Sequence, residues 1–256
     1  MRELKLLYLY PDMLELYGDY GNIQVLKYRL EKRNINLIID RYSIGDKKPD
    51  FTSYDIVFAG GGADNEQSIL SKDLIKFKDD IKEAIKNWVF FLLICGAYQL
   101  FGKYYKGVEG NIIPGLGIFD YYTEAIKDRS KRCIGNIVLE VNLNGDKYEV
   151  IGFENHGGQT YNVKNCFGKV LVGNGNKFED KEEGYFINNV IASYLHGPLL
   201  SKNPKLTDYI IEYCLKRKYE EEIKLEPLDD TFEEKCREEL FKVLEIKKEI
   251  RWIKNE

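Results

Sequence analysis

The stretch VFFLLICGAYQ, Val89 to Gln99, decides the fold. Six consecutive apolar residues, Val89–Ile94, are too few for a self-sufficient helix, but they suit a central strand buried on both faces. Cys95 follows at once, then Gly96 and Ala97, and then helix-compatible spacing over Tyr98–Tyr105. A strand that breaks into a helix at a small residue is the geometry of a nucleophile elbow. The tight turn strains the nucleophile's backbone and lifts its side chain clear of the sheet, and the glycine leaves room for substrate. The helix points free N–H groups and its positive dipole end at the sulfur, which favours thiolate, the reactive form. Alone, Cys95 reads as a buried structural cysteine. The turn, the glycine and a histidine farther along favour the nucleophile.

Upstream of the elbow, Leu4–Tyr10 reads as a strand stopped by Pro11, and YGDYGN (Tyr17–Asn22) is turn chemistry in which Asp19 or Asn22 suits a helix cap. Ile23, Leu26 and Leu30 then recur at helical spacing, and Ile35–Tyr42 reads as a second strand. Tyr54–Ala59 is a third strand that ends in Gly60–Gly62. Leu70, Leu74, Phe77, Ile81, Ile85 and Trp88 form one apolar stripe of a helix leading into the central strand. The order β-α-β-β-α-β-α predicts a parallel, doubly wound sheet, whose ligands bind at the carboxyl ends of the strands. Both the triple glycine and Cys95 occupy such ends.

Past Gly115–Gly117 the character changes. Cys133–Val141 and Tyr148–Phe153 read as neighbouring strands joined through NGDK (Asn144–Lys147), and Lys169–Val172 and Tyr185–Tyr194 as further strands. Leu206–Tyr219 predicts a helix. From Glu220 the chain is charged, with a final helix expected over Thr231–Lys254. Such a run reads as a solvated face, although Phe232, Leu240, Val243 and Ile246 offer an apolar set for docking on the domain or a partner.

The 256 residues hold one α/β domain with a tail, or one and a half domains, and 44% apolar content is ample for a core. A net charge of −4 gives no electrostatic case for nucleic acid. The five cysteines, Cys95, Cys133, Cys166, Cys214 and Cys236, are odd in number, far apart and without a CxxC, so neither a disulfide framework nor a zinc site is expected. No run reaches membrane-spanning length and the first residues lack a secretory pattern, so a cytoplasmic protein is expected.

The chain has two histidines. His196 follows an apolar strand, with Gly197 and Pro198 forcing a turn beside it. A cysteine nucleophile needs a base within hydrogen-bond reach, and a strand end of the same sheet can bring His196 to Cys95. His156, in GFENHGGQ (Gly152–Gln159), is the rival base, but its flanking glycines suggest a substrate-side loop. An oxyanion hole has candidate donors in the N–H of Gly96 and in Gly61 or Gly62. Gly60–Gly62 also reads as a phosphate-binding turn, but neither GxGxxG nor a P-loop lysine accompanies it.

CGAYQ (Cys95–Gln99) resembles the C-x-G-x-Q elbow of class I glutamine amidotransferases, with Ala97 in place of the second glycine. YLHGP (Tyr194–Pro198) is similar to the histidine segment of their cobyric-acid-synthase-like branch. YGDYGN, FAGGGADNEQ, GLGIFDYYTE, GFENHGGQTYN and SYLHGPLL together resemble the glutaminase subunits of lipid II isoglutaminyl synthases, over about residues 4–220. The resemblance implies an α/β, flavodoxin-like, mostly parallel sheet flanked by helices over residues 1–219, with a charged helical extension over 220–256. It implies Cys95 as the nucleophile that splits the glutamine side-chain amide and His196 as general base and acid. Gln99 would help hold the substrate, Arg132 (or the nearby Arg129) would bind its carboxylate, and Gly62 and Gly96 would donate to the oxyanion. Pro198 stands where many class I enzymes carry the glutamate of a triad, so an acidic residue of the partner is expected to orient His196. The implied partner is a MurT-like, Mur-ligase-like subunit that uses ATP and a metal to activate the D-glutamate α-carboxyl of lipid II. No cofactor or metal is expected on this chain.

Three other readings compete. One is a glutaminase for another synthetase, such as cobyric acid synthase, which usually carries its ligase domain on the same chain. Another is an elbow-cysteine hydrolase of the same general sheet. The third is a non-catalytic flavodoxin-like binding module.

Overall fold

The computed structural model describes residues 2–244. Its first part alternates strand and helix: β1 (Glu3–Leu9), α1 (Gly21–Glu31), β2 (Asn36–Tyr42), β3 (Ile56–Ala59), α2 (Asp64–Leu74), α3 (Lys78–Lys86), β4 (Phe90–Ile94) and α4 (Gly96–Phe101). The remainder is strand-rich: β5 (Tyr104–Lys106), β6 (Ile112–Pro114), β7 (Tyr122–Ala125), β8 (Cys133–Leu143), β9 (Asp146–His156), β10 (Gly158–Tyr161), β11 (Gly168–Val172), β12 (Glu182–Glu183), β13 (Tyr185–Ile187), β14 (Val190–Ser193) and β15 (Leu195–His196). Two helices close the chain, α5 (Pro204–Tyr219) and α6 (Thr231–Val243).

The principal sheet has the order β13-β14-β4-β3-β1-β2 and is parallel except at its edge strand β13. Every residue of β4 is buried, as an apolar run without alternation requires. Ala59 pairs with Leu93 and Ile94 with Ser193, so the carboxyl ends of β3, β4 and β14 finish side by side. The loops that leave them open on one edge. A second, antiparallel sheet (β12-β11-β8-β9-β15) is built on the long β8–β9 hairpin, and a third has the order β10-β7-β5-β6. The hairpin turns through Asn144 and Gly145, both with positive φ, as a two-residue Asn-Gly connection demands.

Three local expectations are corrected. The elbow helix stops at Phe101 rather than continuing to Tyr105, because the chain leaves through extended Gly102 to form β5. A Cβ on Gly102 would lie 2.6 Å from the Tyr121 ring, so only glycine passes there. The Leu70–Trp88 stripe is split into α2 and α3 by a 3-10 turn at Ile75–Phe77, which turns Phe77 edge-on to Tyr42 at 5.3 Å. Tyr185–Tyr194 is a hairpin rather than one strand. Its turn residue Asn189 donates to the carbonyls of Ile85 and Val89, and this reverses the chain beside β4.

The charged C-terminal stretch is docked rather than wholly solvated. Arg237 is 2% exposed. Its guanidinium donates to the carbonyls of Lys202 and Glu149 and to Asn203 Oδ1, and lies 4.6 Å over the Tyr148 ring. Phe241 and Leu240 pack on Val138 and Ile151, whereas Phe232 and Val243 face solvent. Ile246, and the expected helix from 245 to 254, lie outside the described residues. Arg29 joins α1 to both Asp208 of α5 and Asp230 ahead of α6. No helix among the described residues is long and apolar enough to cross a membrane.

Arg237→Ala removes the donors to the Lys202 and Glu149 carbonyls and one of the two donors to Asn203 Oδ1. It is expected to lower the unfolding free energy by about 1–3 kcal/mol, read as a lower urea midpoint with an unchanged slope.

Candidate active site

Cys95 leaves β4 with φ of +51°. Such a conformation costs a non-glycine residue of order 1–3 kcal/mol and persists only where its surroundings enforce it. Here the Cys95 N–H donates to the Ser193 carbonyl at 2.8 Å, the Ala97 N–H to the Gly60 carbonyl at 3.2 Å, and the Gln99 N–H to the Cys95 carbonyl at 3.1 Å. Sheet, glycine loop and helix thus all hold the elbow that the sequence predicts. Ser193 and Tyr194 are fixed in turn by Glu183, whose buried carboxylate accepts from the Tyr194 N–H and the Ser193 hydroxyl. Burial pushes the Glu183 pKa up to about 8.

His196 ends β15, antiparallel to β9, and is 1% exposed. Its Nδ1 lies 2.9 Å from Asp19 Oδ1, and Asp19 Oδ2 accepts the Gly61 N–H at 2.8 Å. A carboxylate on Nδ1 assigns the N–H to that nitrogen and leaves Nε2 as the basic one. A Cβ on Gly61 would lie 3.0 Å from His196 Cε1 and 3.3 Å from both Cys95 Cβ and Asp19 Oδ2. Cysteine, histidine and aspartate therefore surround one small space, which glycine keeps open. Nε2 is the nitrogen left for Cys95, and no other group among the described residues hydrogen-bonds to it. Burial disfavours the imidazolium, but the Cys95 sulfur and the Asp19 carboxylate outweigh it and raise the His196 pKa to about 10.

Asp19 corrects the expectation that a partner's acidic residue must orient His196: this chain supplies the carboxylate. The sequence offers Asp19 or Asn22 as a helix cap, yet α1 has no side-chain cap. Asn22 likewise serves another purpose, accepting the Leu200 N–H just beyond the His196 turn. The one available signal was the uncommon YGDYGN segment itself.

The site opens into a cavity of about 690 Å³ whose walls include Tyr17, Gly62, Gln67, Cys95, Gln99, Arg129, Arg132, Asn155 and His156. Gly62 and Gly96 are brought together: a Cβ on Gly96 would lie 2.9 Å from the Gly62 nitrogen. Gln99 is in the wall, but its amide is already engaged, accepting from Gln67 and donating to the Tyr194 hydroxyl. Arg132 donates to Asn155 Oδ1 at 3.2 Å and packs beside Gly157, whose absent side chain makes room for the guanidinium. Arg129 also lines the cavity. Tyr17, missed from sequence, sets its ring edge-on to His196 at 4.7 Å.

His156 does not pair with Cys95 in the way His196 does. It stacks on Tyr194 at 3.7 Å, its Nδ1 lies 2.7 Å from the Gly158 carbonyl, and burial lowers its pKa to about 4. A strained cysteine with an imidazole backed by a carboxylate is the equipment of nucleophilic acyl transfer.

This fold and site define the class, and comparison with known proteins agrees. Residues 5–204 match the model of the CobB/CobQ-like glutamine amidotransferase domain. The chain is 43% identical over 218 residues to the lipid II isoglutaminyl synthase (glutamine-hydrolyzing) subunit GatD of Staphylococcus aureus, covering 85% of this chain and 87% of that protein. It is 39% identical to the subunit GatD of Streptococcus pneumoniae, covering 93% and 90%. A probable cobyric acid synthase of Methanocaldococcus jannaschii is 27% identical over 73% of this chain but only 39% of its own length. The solved PurLQS structure from Thermotoga maritima shares the fold, with a TM-score of 0.56 at 15% identity over 86% of this chain and all of the matched one. The chain belongs to the CobB/CobQ-like glutamine amidotransferase family, and within it to the GatD group.

With a folded-state pKa near 10 against about 6.5 unfolded, His196 contributes stability that is complete below pH 6.5 and is lost as pH rises towards 10. Asp19→Asn removes one of the groups that raise it. The imidazole resonances of the variant are expected to titrate at lower pH than wild type, and the alkaline loss of stability to begin earlier; an unchanged titration would contradict the Asp19 assignment.

Proposed function

We propose that this chain is the glutaminase subunit of a lipid II isoglutaminyl synthase, and that Cys95 and His196 carry the chemistry. The observation that carries the reading is the meeting of Cys95, His196 and Asp19 around Gly61, in a chain whose GatD relatives match over most of their length. Cys95 Sγ, as thiolate beside the imidazolium, attacks the side-chain amide carbon of glutamine. The oxyanion that forms accepts from the N–H groups of Gly62 and Gly96. As the tetrahedral intermediate collapses, the C–N bond breaks and His196 protonates the departing ammonia, leaving a thioester on Cys95. Water, deprotonated by the same imidazole, then breaks the C–S bond and releases glutamate. Arg132 binds the α-carboxylate of the substrate, and Gln99 braces the wall against which it lies.

Ammonia passes to a MurT-like, Mur-ligase-like partner that uses ATP and a metal to activate the D-glutamate α-carboxyl of lipid II, giving D-isoglutamine in peptidoglycan. We assign residues 1–219 to the glutaminase domain and residues 220–256 to a charged extension that carries α6. The cysteine route uses only side chains and backbone of this chain. Five free thiols fit a cytoplasmic location.

The test is glutamate release from glutamine by the purified chain, with and without the Mur-ligase-like subunit. Cys95→Ala is expected to abolish it, by more than about 10³-fold; retention of activity would overturn the reading in favour of a binding module. Arg132→Ala is expected to raise KM for glutamine by about 10–100-fold with a smaller change in kcat, whereas Arg129→Ala changes KM little.

A further inference from the structure

Cys133, Glu154 and His156 offer a sulfur, a carboxylate oxygen and a ring nitrogen that all lie within 4.8 Å of one another, and all three residues are buried. The strand register makes this cluster. Cys133 is the cross-strand partner of His156 at the open end of the β8–β9 hairpin, and Glu154 lies two residues back along β9, so the three side chains share one face.

Each donor is aimed by an outer partner. The Gly158 carbonyl takes the Nδ1–H of His156 and leaves the lone pair on Nε2. Glu154 accepts from the Asn174 N–H and side-chain amide and from the Gly175 N–H. The Gln159 amide approaches Cys133 Sγ at 3.8 Å. Such second-shell contacts are what orient metal ligands. His156 Nε2 nevertheless makes no well-formed hydrogen bond among the described residues, with the Gly175 carbonyl nearby, and faces Glu154 Oε2 at 4.0 Å. Two acceptors facing each other in a buried site are unfavourable unless a proton, a water or a cation lies between them.

We infer that Cys133, Glu154 and His156 form a site for one divalent transition-metal ion of the zinc type, beside the substrate cavity. A thiolate and a carboxylate balance the charge of a dication, and a mixed sulfur, nitrogen and oxygen set suits zinc. The bond lengths of zinc require the donors to draw in by about 1 Å. Cys133 gives its proton to solvent on binding. Of the three residues His156 also lines the substrate cavity, so the cluster borders it. Arg132 directly precedes Cys133, and its partner Asn155 lies between Glu154 and His156, so the ion would clamp the two strands that present Arg132.

The full-length chain, stripped with a chelator, is titrated with Zn²⁺ against a chromophoric chelator, and separately with Co²⁺. One equivalent bound, a thiolate-to-Co²⁺ charge-transfer band, and at least a tenfold loss of affinity in both Cys133→Ser and Glu154→Gln are expected. Should those variants fold poorly, wild-type protein alkylated with and without Zn²⁺ is mapped by mass spectrometry, and Cys133 is expected to be the thiol that the metal protects. Absence of tight binding overturns the inference and leaves a bridging water between Glu154 and His156. Binding that survives in Cys133→Ser but is lost in Cys95→Ser overturns it as well, since the ion would then sit at the catalytic pair.

Discussion

The hydrogen bond from the Cys95 N–H to the Ser193 carbonyl, 2.8 Å long, ties the end of β4 to the end of β14. Both halves of the chemistry depend on it. On one side it helps to hold Cys95 at a φ that an L-residue rarely adopts. On the other it fixes the strand end from which, three residues on, His196 reaches the sulfur. Glu183, buried and bound to the Ser193 hydroxyl and the Tyr194 N–H, makes that strand end rigid. Strain at the cysteine is tolerable because the parallel sheet around it has no freedom to relax.

The two histidines show how position sets protonation. Both are buried, and burial alone lowers the pKa of an imidazole. His156 meets a carbonyl and a tyrosine ring and is held neutral. His196 meets the Cys95 sulfur and a carboxylate, and is held towards its cation. Asp19 performs two tasks at once, because its second oxygen receives the Gly61 N–H and fixes the glycine loop against the imidazole. The loop after β1, the loop after β3 and the histidine strand are thereby one electrostatic unit.

Beneath the cavity runs a chain of buried polar contacts, from Gln67 through Gln99 and the Tyr194 hydroxyl to Thr160 and Thr123. Networks of this kind rigidify a wall, and here Gln67 Oε1 at its end is the one member atom that finds no partner among the described residues. They also join the principal sheet to the β10–β7 pair, so the second half of the chain acts as the far wall of the site rather than as a separate body. Arg237 plays the corresponding part for α6, bringing a charged helix onto the domain by donating to the Lys202 and Glu149 carbonyls.

Much of this was legible in the order of residues alone. The apolar run before Cys95, the glycines at strand ends and the alternation of strand and helix specify a parallel sheet and its ligand edge, because burial on both faces and tight turns leave few other ways to satisfy the backbone. Elbow chemistry is local, and so it was readable. The partner of His196 was not: Asp19 is 177 residues away, and nothing in a loop of turn residues distinguishes a cap from a carboxylate that binds an imidazole. The splitting of the Leu70–Trp88 stripe and the hairpin at Asn189 were hidden for the same reason, since the contacts that cause them come from distant segments. Cys133, Glu154 and His156 carry no ligand spacing and meet only through strand register. What the sequence by itself determined was the kind of sheet, the elbow and the cysteine at its tip, all read from patterns within short stretches. Only the tertiary structure decided which acid serves the histidine and which side chains share a buried face, because those depend on where separate strands end.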